Sequence, residues 1–194
     1  MDAGDGHAIG GAVVDIADYV CFTGSTATGR LVGEQAAARL VGASLELGGK
    51  NPLIVLDDVN PRRAAANAVY ACFASLGQLC VSIERIYVHR AVADVFTDEF
   101  VSRTAALVQG AAFDYTTDVG SLTLPSQLSR VQAHVDDAVS KGATVLAGGK
   151  PRPELGPLFF EPTVLTGVTD DMACLAEETF GPVVSITVVD TVDD

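Results

Sequence analysis

The sequence contains a cysteine and a glutamate whose surroundings could support nucleophilic catalysis. Cys80 follows a stretch of small residues and glycine, "ASLGQL", at what we predict to be a helix end. A thiolate is the attacking species of such a cysteine, so reactivity depends on solvent access and on the local field. Glu46 lies between two leucines, and a carboxylate buried in such company holds a proton more readily, which suits a general base. The ordinary alternatives are that Cys80 is a packing thiol and that Glu46 is a glutamate at a strand end that faces solvent.

Two further stretches could bind an anion or a nucleotide. In "FTGSTATGR", residues 22–30, a predicted strand runs into a glycine turn and then into a helix. This geometry points backbone N–H groups and the helix dipole at an anion, with a simple capped helix start as the alternative. In "AEETFGPVV", residues 176–184, a carboxylate could bind ribose hydroxyls and Phe180 could pack on a cofactor ring. The alternative there is an acidic loop ahead of a strand.

Short apolar runs rich in valine and isoleucine alternate with alanine-rich or amphipathic segments along the chain. The apolar runs predict strands at residues 19–23, 52–56, 85–89, 144–147, 163–166 and 183–189. The other segments predict helices at residues 26–40, 61–75, 91–108 and 127–141. Because the strands are continuously apolar, we expect an α/β fold with a mostly parallel sheet and helices on both faces.

Two of the predicted helices have recognisable ends. Asn60 is placed as the N-cap of the second helix, with Pro61 at its first position, where a missing N–H costs nothing. Ser126 is a candidate cap of the fourth helix, and Gly142 follows its end. The apolar residues expected to face the core from the fourth helix are Leu128, Val131, Val135 and Val139.

The composition favours a folded protein and excludes several kinds of partner. The chain has 194 residues, 48% of them hydrophobic, and a formal net charge of −13. Such acidity argues against a duplex nucleic acid partner, whose phosphates would be repelled. We find no secretory signal and no apolar run of about 20 residues, so a membrane span is not expected. The cysteines contain no CxxC pair and the histidines are scattered, which favours a reducing cytoplasm and no metal site.

Four motifs, taken in their order along the chain, resemble the NAD(P)-dependent aldehyde dehydrogenase superfamily. They are "FTGSTATG", "LELGGKNP", "GQLC" and "EETFGPV", and the interval between Glu46 and Cys80 also matches the family pattern. The resemblance extends over nearly the whole chain. It implies the C-terminal remnant of a dinucleotide-binding domain at residues 1–45. It also implies an aldehyde dehydrogenase-like catalytic domain at residues 46–194, incomplete at its C-terminus.

The resemblance implies catalytic roles for two residues. Cys80 resembles the nucleophile that attacks an aldehyde to form a thiohemiacetal and then a thioester, with its own N–H as one oxyanion donor. Glu46 resembles the base that activates water to hydrolyse the thioester, and it would also help to deprotonate Cys80. Cys21, Cys72 and Cys174 gain no such support, and we expect them to be packing residues.

The resemblance also implies NAD or NADP as the cofactor. The glycine turn would lie near the pyrophosphate and the nicotinamide. The carbonyl oxygen of Leu47 would accept a hydrogen bond from the nicotinamide amide. Glu178 would bind the ribose, and Phe180, two residues later, would be its aromatic neighbour. The cofactor-binding residues so implied are Gly24, Ser25, Gly29, Leu47, Glu178 and Phe180.

The substrate and the activity of the chain alone are further expectations from the resemblance. "GQLCVSIERIYVH" and "FFEPTVL" look closest to the succinate-semialdehyde dehydrogenase branch, in which Arg85 could pair with a substrate carboxylate or simply pack at a strand start. Family members are much longer, so we expect a fragment with little turnover of its own and a homo-oligomer in the full-length form. The alternatives are a cofactor-independent thiol esterase or thioesterase, a non-catalytic association module, and a plain structural domain.

Overall fold

The structure is a computed structural model that describes residues 6–112, 114–191 and 193–194. The chain divides into two compact units, Met1–Gly49 and Lys50–Asp194, and each has a hydrophobic core of its own. The sequence predicted a boundary between residues 45 and 46, and the roles assigned to the two parts stay predictions.

The first unit contains a two-stranded parallel sheet and two helices in its described part. Its register pairs Thr23 with Glu46, so both strands end at the same edge. Its small core consists of Val14, Val20 and Ala36, from the first helix, the first strand and the second helix. The elements in chain order are α1 (Gly6–Ile16), β1 (Tyr19–Thr23), α2 (Thr26–Ala38) and β2 (Gly42–Glu46).

The sequence patterns predict neither helix α1 nor strand β2. Glycine is a poor helix former, and α1 contains Gly10 and Gly11. Contacts with α2 compensate, because the side-chain amide of Gln35 donates to the carbonyl oxygen of Gly11 at 2.8 Å. The guanidinium of Arg39 likewise donates to the carbonyl oxygen of Val14 at 2.7 Å. Helix α1 is therefore stabilised by tertiary contacts that local propensity does not reveal.

The second unit alternates strands and helices, as the sequence predicted, with element ends shifted by a few residues. In the described parts of both units, no helix is at once long enough and apolar enough to cross a membrane. The elements of the second unit are β3 (Asn51–Val55), α3 (Pro61–Phe73), a 3₁₀ turn (Ala74–Gly77), β4 (Ile83–His89), α4 (Arg90–Ala105), α5 (Pro125–Ser140), β5 (Thr144–Ala147), β6 (Thr163–Thr166), α6 (Ala173–Ala176) and β7 (Val183–Val189).

The strands of the second unit form one sheet in the order β3, β4, β7, β6, β5. All neighbouring strands are parallel except β5 and β6, so the predicted α/β class with a mostly parallel sheet is confirmed. Parallel strands begin at the same edge of a sheet. The segments that precede β3, β4 and β7 therefore meet at one edge, although they lie far apart in the sequence.

The core of the second unit includes an aromatic cluster between α3 and α4. The rings of Phe96 and Phe100 stack with centroids 5.8 Å apart, and Phe73 lies against Phe100 at 6.1 Å. All three side chains are buried. Because Phe73 is the last residue of α3, this cluster fixes the point at which the chain leaves the helix and turns toward Cys80.

One of the two predicted helix caps is confirmed and the other is wrong. The side chain of Asn60 accepts the N–H of Arg63 at 3.1 Å, and Pro61 takes the first position of α3. Ser126, however, lies inside α5, which begins one residue earlier at Pro125. Proline fits that first position because its missing N–H would have no partner there.

The inward face of α5 differs from the predicted apolar stripe. Val131 and Val135 are buried as expected, but Val139 is 47% exposed. The buried positions of the helix also include His134, which the stripe did not contain. Gly142 follows the end of α5 with a φ of 104°, a conformation that glycine adopts without strain.

Candidate active site

The glycine turn of the first unit lies at the edge where both of its strands end. Gly24 follows β1 and donates its N–H to the carbonyl oxygen of Glu46 at 3.0 Å. Ser25 is the N-cap of α2, and its hydroxyl oxygen accepts the N–H of Thr28 at 3.2 Å. Glu46 is exposed rather than buried between its leucines. The structure thus brings the turn and Glu46 together, and the exposed start of α2 fits an anion such as a pyrophosphate.

Gly29 allows close packing in the first unit. Gly29 is buried, and a Cβ atom there would stand 2.3 Å from Cδ2 of Leu47. The missing side chain lets α2 approach the segment that follows β2. A Cβ at Gly24 would likewise stand 2.6 Å from the ring of Phe22. Both glycines therefore let neighbouring side chains pack closely against the backbone at the turn.

Cys80 lies on an exposed turn between α3 and β4. The chain reaches it through the 3₁₀ turn, in which Ser75, Leu76 and Gly77 have φ angles of 51°, 56° and 72°. Left-handed backbone is costly for residues that carry a side chain. Such a turn persists only where its surroundings hold it in place.

Hydrogen bonds of the Gln78 side chain and close packing of Gly77 hold the left-handed turn. The side-chain amide of Gln78 donates to the carbonyl oxygen of Ser121 at 3.2 Å, and its oxygen accepts the N–H of Thr123 at 2.9 Å. Gly77 is buried so closely against the backbone that a Cβ atom would stand 2.3 Å from the carbonyl oxygen of Gly181. The turn before Cys80 therefore packs directly on the segment that precedes β7.

Asn51 fixes the backbone at Cys80 itself. Its amide donates to the carbonyl oxygen of Cys80 at 2.7 Å and to that of Ser82 at 2.9 Å. Asn51 is the first residue of β3, which pairs with β4 beside it. The start of one strand thereby holds the segment that leads into the next.

The four cysteines differ in exposure, although all are free thiols. Cys72 and Cys174 are buried, and burial raises the pKa of each thiol, which keeps both protonated. They match the expected packing residues. The same expectation is wrong for Cys21, which is exposed on β1. Cys80 is exposed as well, so its sulfur is accessible to a reagent or substrate.

The segment that carries Glu178 and Phe180, which we call the 177–182 turn, is fixed by a buried carboxylate. The carboxylate of Glu84, on β4, accepts the N–H groups of Thr179 and Phe180, each at 2.9 Å. The ammonium group of Lys50 forms an ion pair with the same carboxylate. Phe180 has a φ of 51°, so these contacts hold a residue in left-handed backbone. Glu178 and Phe180 themselves are half-buried.

Two residues of α5 also hold the 177–182 turn. The side-chain amide of Gln127 donates to the carbonyl oxygens of Thr179 and Phe180 at 2.5 and 2.6 Å. Nδ1 of His134 lies 3.1 Å from the hydroxyl oxygen of Thr179. Burial, and then the nearby ammonium of Lys50, lower the pKa of His134. The imidazole is therefore neutral at pH 7 and above.

Arg85 pairs with the backbone at the start of the sheet. Its guanidinium donates to the carbonyl oxygen of Lys50 at 2.6 Å. Its Nε is buried and has no hydrogen-bond partner among the described residues. The bond to Lys50 supports the structural alternative for Arg85 over the role of pairing with a substrate carboxylate.

In the second unit, the segment at residues 74–80, which we call the Cys80 turn, lies beside the 177–182 turn. In the first unit, Glu46 lies beside the glycine turn. Sequence reasoning missed the polar residues that anchor these segments. One signal was available, since Glu84 shares a face of β4 with Ile86 and Val88, and a buried carboxylate requires partners. The described residues contain no cluster of histidine, cysteine and carboxylate side chains that could hold a metal ion. The anchoring residues are Lys50, Asn51, Gln78, Glu84, Gln127 and His134.

Comparison with known proteins places the chain in a family. Residues 3–194 match the model of the aldehyde dehydrogenase family. A protein of Mycolicibacterium smegmatis named "Putative succinate-semialdehyde dehydrogenase (NADP+)" is 56% identical over 189 residues, which are 97% of this chain. The chain spans only 37% of the length of that relative.

Solved structures agree with this comparison. An aldehyde dehydrogenase mutant from Bacillus cereus superposes with a TM-score of 0.93 at 38% identity, covering 98% of this chain and 39% of that one. The betaine aldehyde dehydrogenase of Staphylococcus aureus, solved with NAD+, gives a TM-score of 0.91 at 34% identity, covering 97% and 38%. The chain therefore belongs to the aldehyde dehydrogenase family.

Proposed function

We propose that this chain carries the nucleophile of an NADP-dependent aldehyde dehydrogenase that oxidises a semialdehyde to a carboxylic acid. The observation that carries the proposal is an exposed thiol, Cys80, on a turn that is fixed by Asn51 and packed on the 177–182 turn. Family membership supports aldehyde oxidation. The name of the Mycolicibacterium smegmatis relative supports succinate semialdehyde as substrate and NADP as cofactor.

The first step is addition of the thiolate of Cys80 to the aldehyde carbonyl. A carbon–sulfur bond forms, and the carbonyl electron pair moves onto oxygen, where the N–H of Cys80 would donate a hydrogen bond to the oxyanion. Asn51 holds the carbonyl groups of Cys80 and Ser82. The N–H of Cys80 shares a peptide plane with the carbonyl of Leu79, which accepts the N–H of Ser82 at 3.0 Å, so that bond orients it. Collapse of the oxyanion regenerates the carbonyl as a thioester, and hydride leaves the same carbon.

The second step is hydrolysis of the thioester. Glu46, exposed at the end of β2, accepts a proton from water, and the resulting hydroxide attacks the thioester carbon. The carbon–sulfur bond then breaks, the acid leaves, and the thiolate of Cys80 is regenerated. Thiolate is a good leaving group, which is why a cysteine can both form and release the intermediate.

Each unit, taken by itself, has residues that support binding of part of a dinucleotide. In the first unit, Gly24 and Ser25 precede an exposed helix start that suits a pyrophosphate. In the second unit, Glu178 is a half-buried carboxylate for ribose hydroxyls, and Phe180 is a half-buried ring. When bound, NADP+ supplies the acceptor for the hydride. The protein residues supply binding, orientation and the proton transfers.

Thiol labelling tests the proposed nucleophile without requiring a complete enzyme. The chain is treated with iodoacetamide, and labelling of each cysteine is followed by peptide mass spectrometry. We expect label at Cys80 and Cys21 and little label at Cys72 and Cys174, whose burial keeps them protonated. Adding succinate semialdehyde should slow labelling of Cys80 alone, because the thiohemiacetal removes its thiolate.

Cys21 is an internal control for this experiment, because it is exposed but has no proposed role. A Cys80→Ser variant should lose only the aldehyde-sensitive site. Equal slowing at both cysteines would show a general effect of the aldehyde, and an unchanged rate at Cys80 would contradict its role as nucleophile.

Turnover by the chain itself is a separate question. The chain spans 37% of the Mycolicibacterium smegmatis relative. Loss of even one oxyanion donor slows turnover about a hundredfold or more. We therefore expect a chain that spans so little of that relative to form NADPH from succinate semialdehyde and NADP+ at least about a hundredfold more slowly than the relative does. Equal rates in a side-by-side absorbance assay would contradict this expectation.

A further inference from the structure

Glu84 is a buried carboxylate that the reaction described above does not use. Glu84 is 4% exposed and lies on β4, the strand that follows Cys80. Removing a charged carboxylate from water is costly unless the group is paired and hydrogen-bonded. A buried charge at this position therefore calls for a reason, which its partners provide.

The partners of Glu84 come from the residue before β3 and from the 177–182 turn. Lys50, which precedes β3, supplies an ammonium group with a side chain that is 10% exposed. The 177–182 turn supplies two consecutive backbone donors, the N–H of Thr179 to Oε2 and the N–H of Phe180 to Oε1, each at 2.9 Å. Lys50 also donates to the hydroxyl oxygen of Thr179 at 3.3 Å. One carboxylate thus joins the starts of three neighbouring strands.

We infer that Glu84 is the positioning residue that fixes the 177–182 turn against the strand following Cys80, so that cofactor-binding groups and the nucleophile keep one arrangement. The inference rests on the proposed function for the roles of Glu178, Phe180 and Cys80. The role inferred for Glu84 is not catalytic, because its carboxylate contacts the backbone N–H groups of the turn and the ammonium group of Lys50.

The chemistry of the turn requires two acceptors at once. Two adjacent N–H groups point at the same side chain, and only a carboxylate presents an acceptor oxygen to each of them. A glutamine would have to turn its NH₂ group, a donor, toward one of the two donors. The turn also depends on these bonds because Phe180 occupies left-handed backbone at a φ of 51°, a conformation that persists only where its surroundings hold it.

Amide hydrogen exchange of a Glu84→Gln variant tests the inference directly. We expect exchange at Thr179 and Phe180 to speed up about tenfold or more, as loss of a buried acceptor predicts, while amides of the central strands change little. The matched control is Glu99→Gln on α4, a carboxylate paired with Arg62 and Arg103. That control should leave exchange in the 177–182 turn unchanged.

A double variant separates positioning from simple charge balance. Glu84→Gln alone leaves the buried ammonium of Lys50 without its counter-ion, which could lower stability by itself. Adding Lys50→Met removes that charge. We expect the double variant to regain resistance to urea while exchange at Thr179 and Phe180 stays fast. Recovery of slow exchange in the double variant would overturn the inference, as would unchanged exchange in Glu84→Gln.

Protection of Cys80 by NADP+ connects the same variants to the site. We expect the NADP+ concentration that halves iodoacetamide labelling of Cys80 to rise about tenfold in Glu84→Gln and in the double variant, but not in Glu99→Gln. An unchanged concentration in Glu84→Gln would overturn the link to the cofactor. If NADP+ fails to protect the unmodified chain, the proposed function fails for this chain, and the exchange measurements still decide whether Glu84 positions the turn.

Discussion

Replacing Gly77 with alanine should destabilise the second unit, because the site depends on a close backbone contact there. Gly77 has a φ of 72°, and alanine in left-handed backbone costs about 1–2 kcal/mol. The new Cβ would also stand 2.3 Å from the carbonyl oxygen of Gly181 and 3.3 Å from that of Cys72. Because these are backbone atoms, relief requires the two turns to separate, at a cost of about 1–3 kcal/mol more.

Gly167 offers a control that isolates the steric part of this cost. Its φ is 70°, in the same left-handed region, but the nearest atom to a Cβ there is the carbonyl oxygen of Gly142 at 4.0 Å. Gly167→Ala should therefore cost about 1–2 kcal/mol, the conformational part alone. We expect Gly77→Ala to lower the free energy of unfolding by about 1–3 kcal/mol more than Gly167→Ala.

Equilibrium unfolding in urea, followed by far-UV circular dichroism, measures both variants against the unmodified chain. The quantity compared is the difference between the two alanine variants, in which the shared effect of alanine on the unfolded chain cancels. Equal losses of stability in the two variants would refute the close approach of Gly77 to Gly181. The packing of the Cys80 turn on the 177–182 turn would then have to be abandoned.

Two further predictions concern residues that anchor the site. Asn51→Ala removes the donor to the carbonyl oxygens of Cys80 and Ser82 and should lower the free energy of unfolding by about 1–3 kcal/mol. The control is Asn67→Ala, at an exposed position of α3, which should change the free energy of unfolding by less than about 0.5 kcal/mol. Urea unfolding measures both variants. Burial lowers the pKa of His134 from 6.5, so the folded chain binds a proton there less readily than the unfolded chain. Its contribution to stability is therefore fully present above pH 6.5 and is lost as the pH falls through the lowered pKa. Between neutral pH and about pH 5, His134→Gln should lose less stability than the unmodified chain, and parallel pH profiles would contradict this.

Much of the second unit was predictable because its local signals and its tertiary packing agree. The runs at residues 144–147, 163–166 and 183–189 form strands with the predicted ends. The cap at Asn60 and the proline after it also mark the start of α3 correctly. The Ser126 prediction was wrong because Pro125, whose fixed φ and missing N–H suit the first helical position, starts α5 one residue earlier. The N-cap is Leu124, and no side chain forms a cap hydrogen bond there. Val139 misled because a regular apolar repeat need not face the core along its whole length.

The sequence by itself determined the α/β class, most element positions and the residue types from which a nucleophile and its partners could be chosen. Those features depend on near neighbours, which periodicity and composition record. Only the tertiary structure decided that Cys80 is exposed while Cys72 and Cys174 are buried. It also decided that Glu84 binds the 177–182 turn. Such contacts arise because parallel strands begin at one edge of a sheet, and strand order is set by packing of the whole chain rather than by distance along it.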